Sequence, residues 1–211
     1  MAAQAVAELD ADPKAARAQL EESVALVQQA GDRWGLAFAF NQLSSLAQDE
    51  GDEQAARRLR EESASLAQLI GDRITLGIAL AGHAHLARLA GEYAAAERLF
   101  KEALSISAEL GPFWRVTARA LDGLASTASL AGNYVRSARL FGAAAALWEA
   151  SGKRDAVRWR AIVDADAAKV RVALGAGPFA AGWAEGHALR MDEVLACALE
   201  PNPASDTSGG S

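Results

Sequence analysis

A period of about forty residues constrains this chain more than any single motif in it. "GDRW" begins at residue 31, "GDRI" at 71, "GPFW" at 111 and "GKRD" at 152, offsets of 40, 40 and 41. A second glycine recurs near the middle of each unit, at Gly51, Gly91 and Gly132. It is followed by "DEQAARRLREESASLAQLI", "EYAAAERLFKEALSISAEL" and "NYVRSARLFGAAAALWEAS". The stretch "DPKAARAQLEESVALVQQA" at 12–30 matches the first of these at an offset of 40, so the array begins part-way through a unit.

Each unit holds two segments with helical spacing, joined by a Gly-Asp, Gly-Glu or Gly-Asn pair. Glycine there takes the left-handed conformation that ends one helix, and Asp or Asn caps the next. In 91–110, Tyr93, Ala96, Phe100, Ala103 and Leu104 fall three or four residues apart on one apolar stripe. A single helix cannot bury such a stripe. Its cover is expected from the helix before it, about 74–89, and the helix after it, about 114–130. The fold class that follows is all-α: a stack of antiparallel helix pairs, an α-solenoid closed by C-terminal capping helices. The expected divisions are a partial first repeat at 1–30, three helix pairs at 31–151, and a helix with capping helices at 152–200. "PNPASDTSGGS", 201–211, lacks apolar anchors and reads as a disordered tail.

Composition agrees. Hydrophobic residues make up 51% of the 211, yet aromatics only 6%, and the alanine-rich remainder favours closely packed helices over a β-sandwich. A net charge of -6 and no basic face argue against nucleic-acid contact. Cys197 is the only cysteine, so no internal disulfide forms and it reads as a small packed hydrophobe. With no basic leader and no membrane-length apolar run, the expectation is a cytoplasmic chain without a membrane partner.

At these residues the chain resembles the tetratricopeptide repeat. Setting Gly91 on that family's turn glycine places Tyr93, Ala96, Phe100 and Ala103 on its signature positions, and Gly132 likewise places Tyr134, Phe141 and Ala144. The unit at 51–70 departs, with Arg60 in the aromatic position and Ser63 in the alanine position. The usual repeat is about 34 residues, so these units resemble the long-helix variant, over roughly residues 1–150, and the resemblance implies a right-handed superhelical stack. The closing "LGAGPFAAGWAEGHALRMDEVLACALE" and "RLFGAAAALWEASG" are similar to the terminal stretch of LuxR-type and related bacterial signal-transduction ATPase regulators. That resemblance implies a C-terminal scaffold or sensor region accompanied by other domains. No G-x-x-x-x-G-K-[ST] loop and no helix-turn-helix reader is present here, so neither ATP hydrolysis nor DNA reading belongs to these residues.

Candidate chemistry is sparse. His83 and His85, two apart on a helix, point about 200° from each other and cannot grip one metal. His83 falls on a core position and His85 on the inner face. Asp164 and Asp166 share that geometry and read as a solvated face, and His187 reads as a solvated turn residue. Trp34 and Trp114 recur at an offset of 80 and read as packing at the junction with the preceding helix. "GAGP" and "AGWAEG" follow no strand, which removes a dinucleotide fingerprint. No nucleophile–base pair appears, so the expectation is a non-enzyme with no cofactor and no metal.

What remains is the concave face that such arrays offer to an extended peptide or a helix. The resemblance places Phe38, Asn41, Ser45 and Gln48 on it, then Ile78, Ala81, His85 and Arg88, then Arg119, Asp122, Ser126 and Ser129. Arg88 and Arg119 would hold an acidic peptide as a carboxylate clamp; the competing reading is a merely solvated inner wall. Two other functions stay open: a small-molecule sensor enclosing its effector near Phe38, His85 and Arg119, and self-association through an apolar helix at 1–10 or 190–200.

Overall fold

Short polar side chains start the helices that the glycine joints mark. The Asp32 carboxylate accepts the Gly35 amide at 2.9 Å, Asp52 accepts that of Ala55 at 2.9 Å, and the Asn133 side chain accepts that of Arg136 at 3.3 Å. Glu92, one methylene longer, makes no side-chain cap. The preceding helix ends in each case on a glycine with positive φ, as at Gly71 (74°) and Gly132 (78°), a backbone region that any Cβ makes costly.

The computed structural model describes residues 13–110, 114–152 and 157–200. Expectations for 1–12, the turn at 111–113, the segment 153–156 and the tail 201–211 lie outside the described residues. Among those described there are ten helices and no strand. These are α1 (Pro13–Gln29), α2 (Arg33–Asp49), α3 (Glu53–Ile70), α4 (Arg73–Leu89) and α5 (Tyr93–Glu109). They continue as α6 (Trp114–Leu130), α7 (Tyr134–Ser151), α8 (Val157–Leu174), α9 (Ala176–His187) and α10 (Met191–Leu199). The expected all-α repeat of helical hairpins is what forms. No helix among the described residues is long and apolar enough to cross a membrane. Two compact units divide between Leu86 and Ala87.

In the first unit α2 packs on α1 and α3. Leu20, Leu43 and Leu46 form one cluster with Val24 and Leu59, and Ala47, Ala56 and Leu86 form the next. Arg60, the residue in the aromatic position, is buried. Its guanidinium lies flat where a methyl group on Gly82 would stand, 2.4 Å from Cζ. It donates to the Asn41 side-chain oxygen and to Ser45 Oγ. Ser63, in the alanine position, donates to the Ala37 carbonyl at 2.8 Å. The two terminal nitrogens of Arg60 and the Ser63 hydroxyl thus find acceptors within the unit, as burial demands.

In the second unit the same position is Phe100, fully buried and set against Gly123, where an added methyl would lie 2.1 Å from the ring. Arg60 over Gly82 and Phe100 over Gly123 are one device, a planar group against a bare stretch of the next helix, built from two chemistries. Burying such a phenyl ring stabilises by about 2–3 kcal/mol. Further on, α9 crosses α7 closely through glycines. A methyl on Gly142 would meet the Trp183 carbonyl oxygen at 2.1 Å, and one on Gly186 that of Arg139 at 1.8 Å. That contact is what "AGWAEG" serves. Helix α9 starts at Ala176 and so holds Pro178 in its first turn. Finally α10 packs on α5 and α7. Lys101 donates to the Glu200 carbonyl at 2.9 Å, and Arg136 to those of Ala198 (3.0 Å) and Glu200 (2.8 Å), placing cations where a helix ends.

The substitution Gly123→Ala should destabilise the chain by about 2 kcal/mol through overpacking. Combined with Phe100→Leu, which vacates the ring volume, the loss in urea unfolding should fall well short of the sum of the two single losses.

Candidate partner-binding faces

Helices α2, α4 and α6 are the A helices of their hairpins, and their side chains carry the candidate faces. Along α2, Phe38, Ser45 and Gln48 are half-buried, whereas Asn41 is buried against Arg60. Trp34 stacks on Phe38 with ring centroids 5.9 Å apart, and at 56% exposure it does not fill the junction expected of it. It is a surface aromatic pair.

On α4, Ile78 is half-buried and Ala81 buried. The two histidines exchange the positions expected of them. His85 is buried, while His83 is half-buried with Nε2 3.7 Å from the exposed Glu61 carboxylate. Nearly every residue of α4 from Thr75 to Arg88 is at least half-buried, so a helix wanted on most sides gives no clear polar stripe from which to set the phase.

Three expected face residues of the second unit come together around α8. Arg88 is 9% exposed; burial pushes its guanidinium below its ordinary value, and Asp166 opposes that. It donates to Asp166 at 3.4 Å, and Lys169 donates to the other carboxylate oxygen at 3.0 Å. Asp166 is buried, which corrects its reading as a solvated residue; Asp164 is exposed and paired with Arg160 at 2.6 Å. Asp122 is 1% exposed, and its Oδ2 accepts the indole N–H of Trp148 (3.0 Å) and of Trp159 (3.2 Å). Arg119 lies 5.4 Å from the centre of the Trp159 ring, a cation–π distance. Trp114 meets Trp148 edge-on at 5.3 Å and 78°. Ser126 is buried and Ser129 half-buried, donating to the Ser126 carbonyl.

Sequence reasoning placed Arg88, Arg119 and Asp122 together but missed Trp159 and Asp166, which meet them from α8. The signal was present: 159 and 166 are seven apart, two helical turns on one face. Elsewhere His187, the last residue of α9, is exposed and 2.9 Å from Glu149, and Cys197 is half-buried. No group of His, Cys, Asp and Glu able to hold a metal occurs among the described residues.

A family model described as tetratricopeptide repeat matches residues 75–150. The match covers α5, α6 and α7 and most of α4, so this stretch is tetratricopeptide-like. Repeats of that kind are non-enzymatic scaffolds that generally mediate protein–protein interaction. No curated protein matches the chain.

Replacing Asp122 with Ala should cost about 2–3 kcal/mol in chemical denaturation, because two indole donors lose a charged acceptor. Trp148→Phe, which removes one donor and keeps the ring packing, should cost about 1 kcal/mol.

Proposed function

We propose that this chain is a non-catalytic interaction module that binds a protein or peptide partner on its A-helix faces. In the first unit the binding residues would be Phe38, Ser45, Gln48 and Ile78; in the second, Arg88, Arg119 and Asp122. The observation that carries the reading is α8 itself. The second unit's face already holds an amphipathic helix by an indole and a carboxylate, the helix-in-groove mode used between molecules. Phe38, with Trp34 stacked on it, gives the first unit an aromatic anchor of the type that dominates binding energies. The setting we propose is the scaffold or sensor region of a LuxR-type or related bacterial regulator, supported by the resemblance of the closing segment at 174–200.

The test is selection of helical peptides from a displayed library against the whole chain, followed by affinity measurement on variants. Phe38→Ala and Arg119→Glu should each weaken the peptides selected on their own unit by at least about tenfold, or 1.4 kcal/mol. Selected peptides whose affinity neither change alters would remove the A-helix faces from the proposal.

A further inference from the structure

Helix α8 is attached differently from α6 and α7, the two repeat helices it packs against. On α6, twelve of seventeen residues are buried. On α8, among the residues from 159 on, only Val163, Asp166 and Val170 are buried, with Trp159, Ile162, Ala167 and Leu174 half-buried beside them. These positions follow i, i+3, i+4, i+7, a single narrow stripe. The opposite side is open to water, with Val172 at 85% exposure. Three polar fixings are set among the aliphatic residues of the stripe: the Trp159 N–H to Asp122, the Trp159 ring under Arg119, and Asp166 to Arg88. Two of them bring together a buried carboxylate and a buried guanidinium on the repeat with groups that α8 supplies.

We propose that α8 is a built-in, exchangeable occupant of the second unit's A-helix face. The partner this face fits is an amphipathic helix carrying an indole or similar N–H donor and, two turns later, a carboxylate. The donor would replace Trp159 on Asp122, and the carboxylate would replace Asp166 on Arg88. The face carries a carboxylate, Asp122, at one end and a guanidinium, Arg88, at the other, which fixes the direction in which the helix lies, since reversal would set carboxylate against carboxylate at Asp122. While α8 is seated, the face is closed to such a helix, and the apparent affinity of any competitor is reduced by the fraction of time the face is open. This regulation rests on the binding role proposed above, applied to the second unit alone.

The probe is a labelled synthetic peptide with the sequence of residues 157–174, titrated into the full chain. Weakening the resident helix with Trp159→Ala and Asp166→Ala should raise the peptide's affinity at least about tenfold over the unaltered chain. Adding Arg119→Glu to that variant should abolish the gain, and a peptide carrying the same two alanines should not bind. Failure of the peptide to bind a variant that still melts cooperatively would overturn the proposal. So would gain of binding only in step with dimer formation, which would make the occupant a second copy's α8. Should the variant fail to fold, hydrogen exchange on the unaltered chain decides the matter. The amides of α8 should exchange at least about a hundredfold faster than those of α6 and α7, and equal protection would mean that α8 opens only with the whole unit. Retention of library peptides at Phe38 alongside a fixed α8 would overturn the exchange and leave the binding role standing.

Discussion

Close approach of one helix to the next over small side chains is the constraint on which the structure depends. A helix made largely of alanine has little apolar surface to bury per turn, so it gains enough only when its partner comes near. The repeat meets that need by laying a planar side chain of one helix on a glycine of the next. Phe100 on Gly123 and Arg60 on Gly82 perform the same packing. The exchange of ring for guanidinium then requires acceptors, which Asn41 and Ser45 supply. A residue that departs from the tetratricopeptide signature thus explains why Asn41 is buried and why the half-buried Ser45 accepts from it. Where the repeat gives way to the closing helices, the same economy continues with Gly142 and Gly186 at the crossing of α7 and α9.

Much of this was legible beforehand because it is written in short-range chemistry. Glycine followed by Asp, Glu or Asn marks a joint whatever surrounds it, and the joints at 31, 51, 71, 91 and 132 all formed with positive φ. What stayed hidden were properties that belong to the assembled unit. The phase of α4 could not be read because apolar residues run around most of its circumference, and His83 and His85 were exchanged as a result. Trp34 and Trp114 occupy equivalent sequence positions, yet Trp114 finds Trp148 to pack against while Trp34 stacks on Phe38 in the open. Repetition in sequence does not guarantee repetition of surroundings. Asp166 looked solvated because its partner Arg88 lies 78 residues away, beyond the reach of any local pattern.

The candidate faces divide by chemistry. In the first unit the candidates are an aromatic pair with an amide, a hydroxyl and Ile78; in the second they are charged groups engaged by α8, Arg88 and Asp122 among them buried. A desolvated ion pair such as Arg88–Asp166 adds little to net stability, because the cost of removing both charges from water offsets much of their attraction. Its contribution is selectivity, since few alternative helices would place a carboxylate at that point with an N–H donor two turns before it. In the exchange we propose, the face acts as a lock with a particular key in place, not as an adhesive surface.

One consequence follows from the way Asp122 is shared. Two of the chain's five tryptophans, one on the repeat and one on α8, direct their N–H groups at a single carboxylate oxygen. Indole emission is sensitive to nearby charge and to water, so the unlabelled protein carries an optical gauge of whether its own helix is seated. In the exchange we propose, Trp148 would serve as the stationary reference and Trp159 as the moving needle.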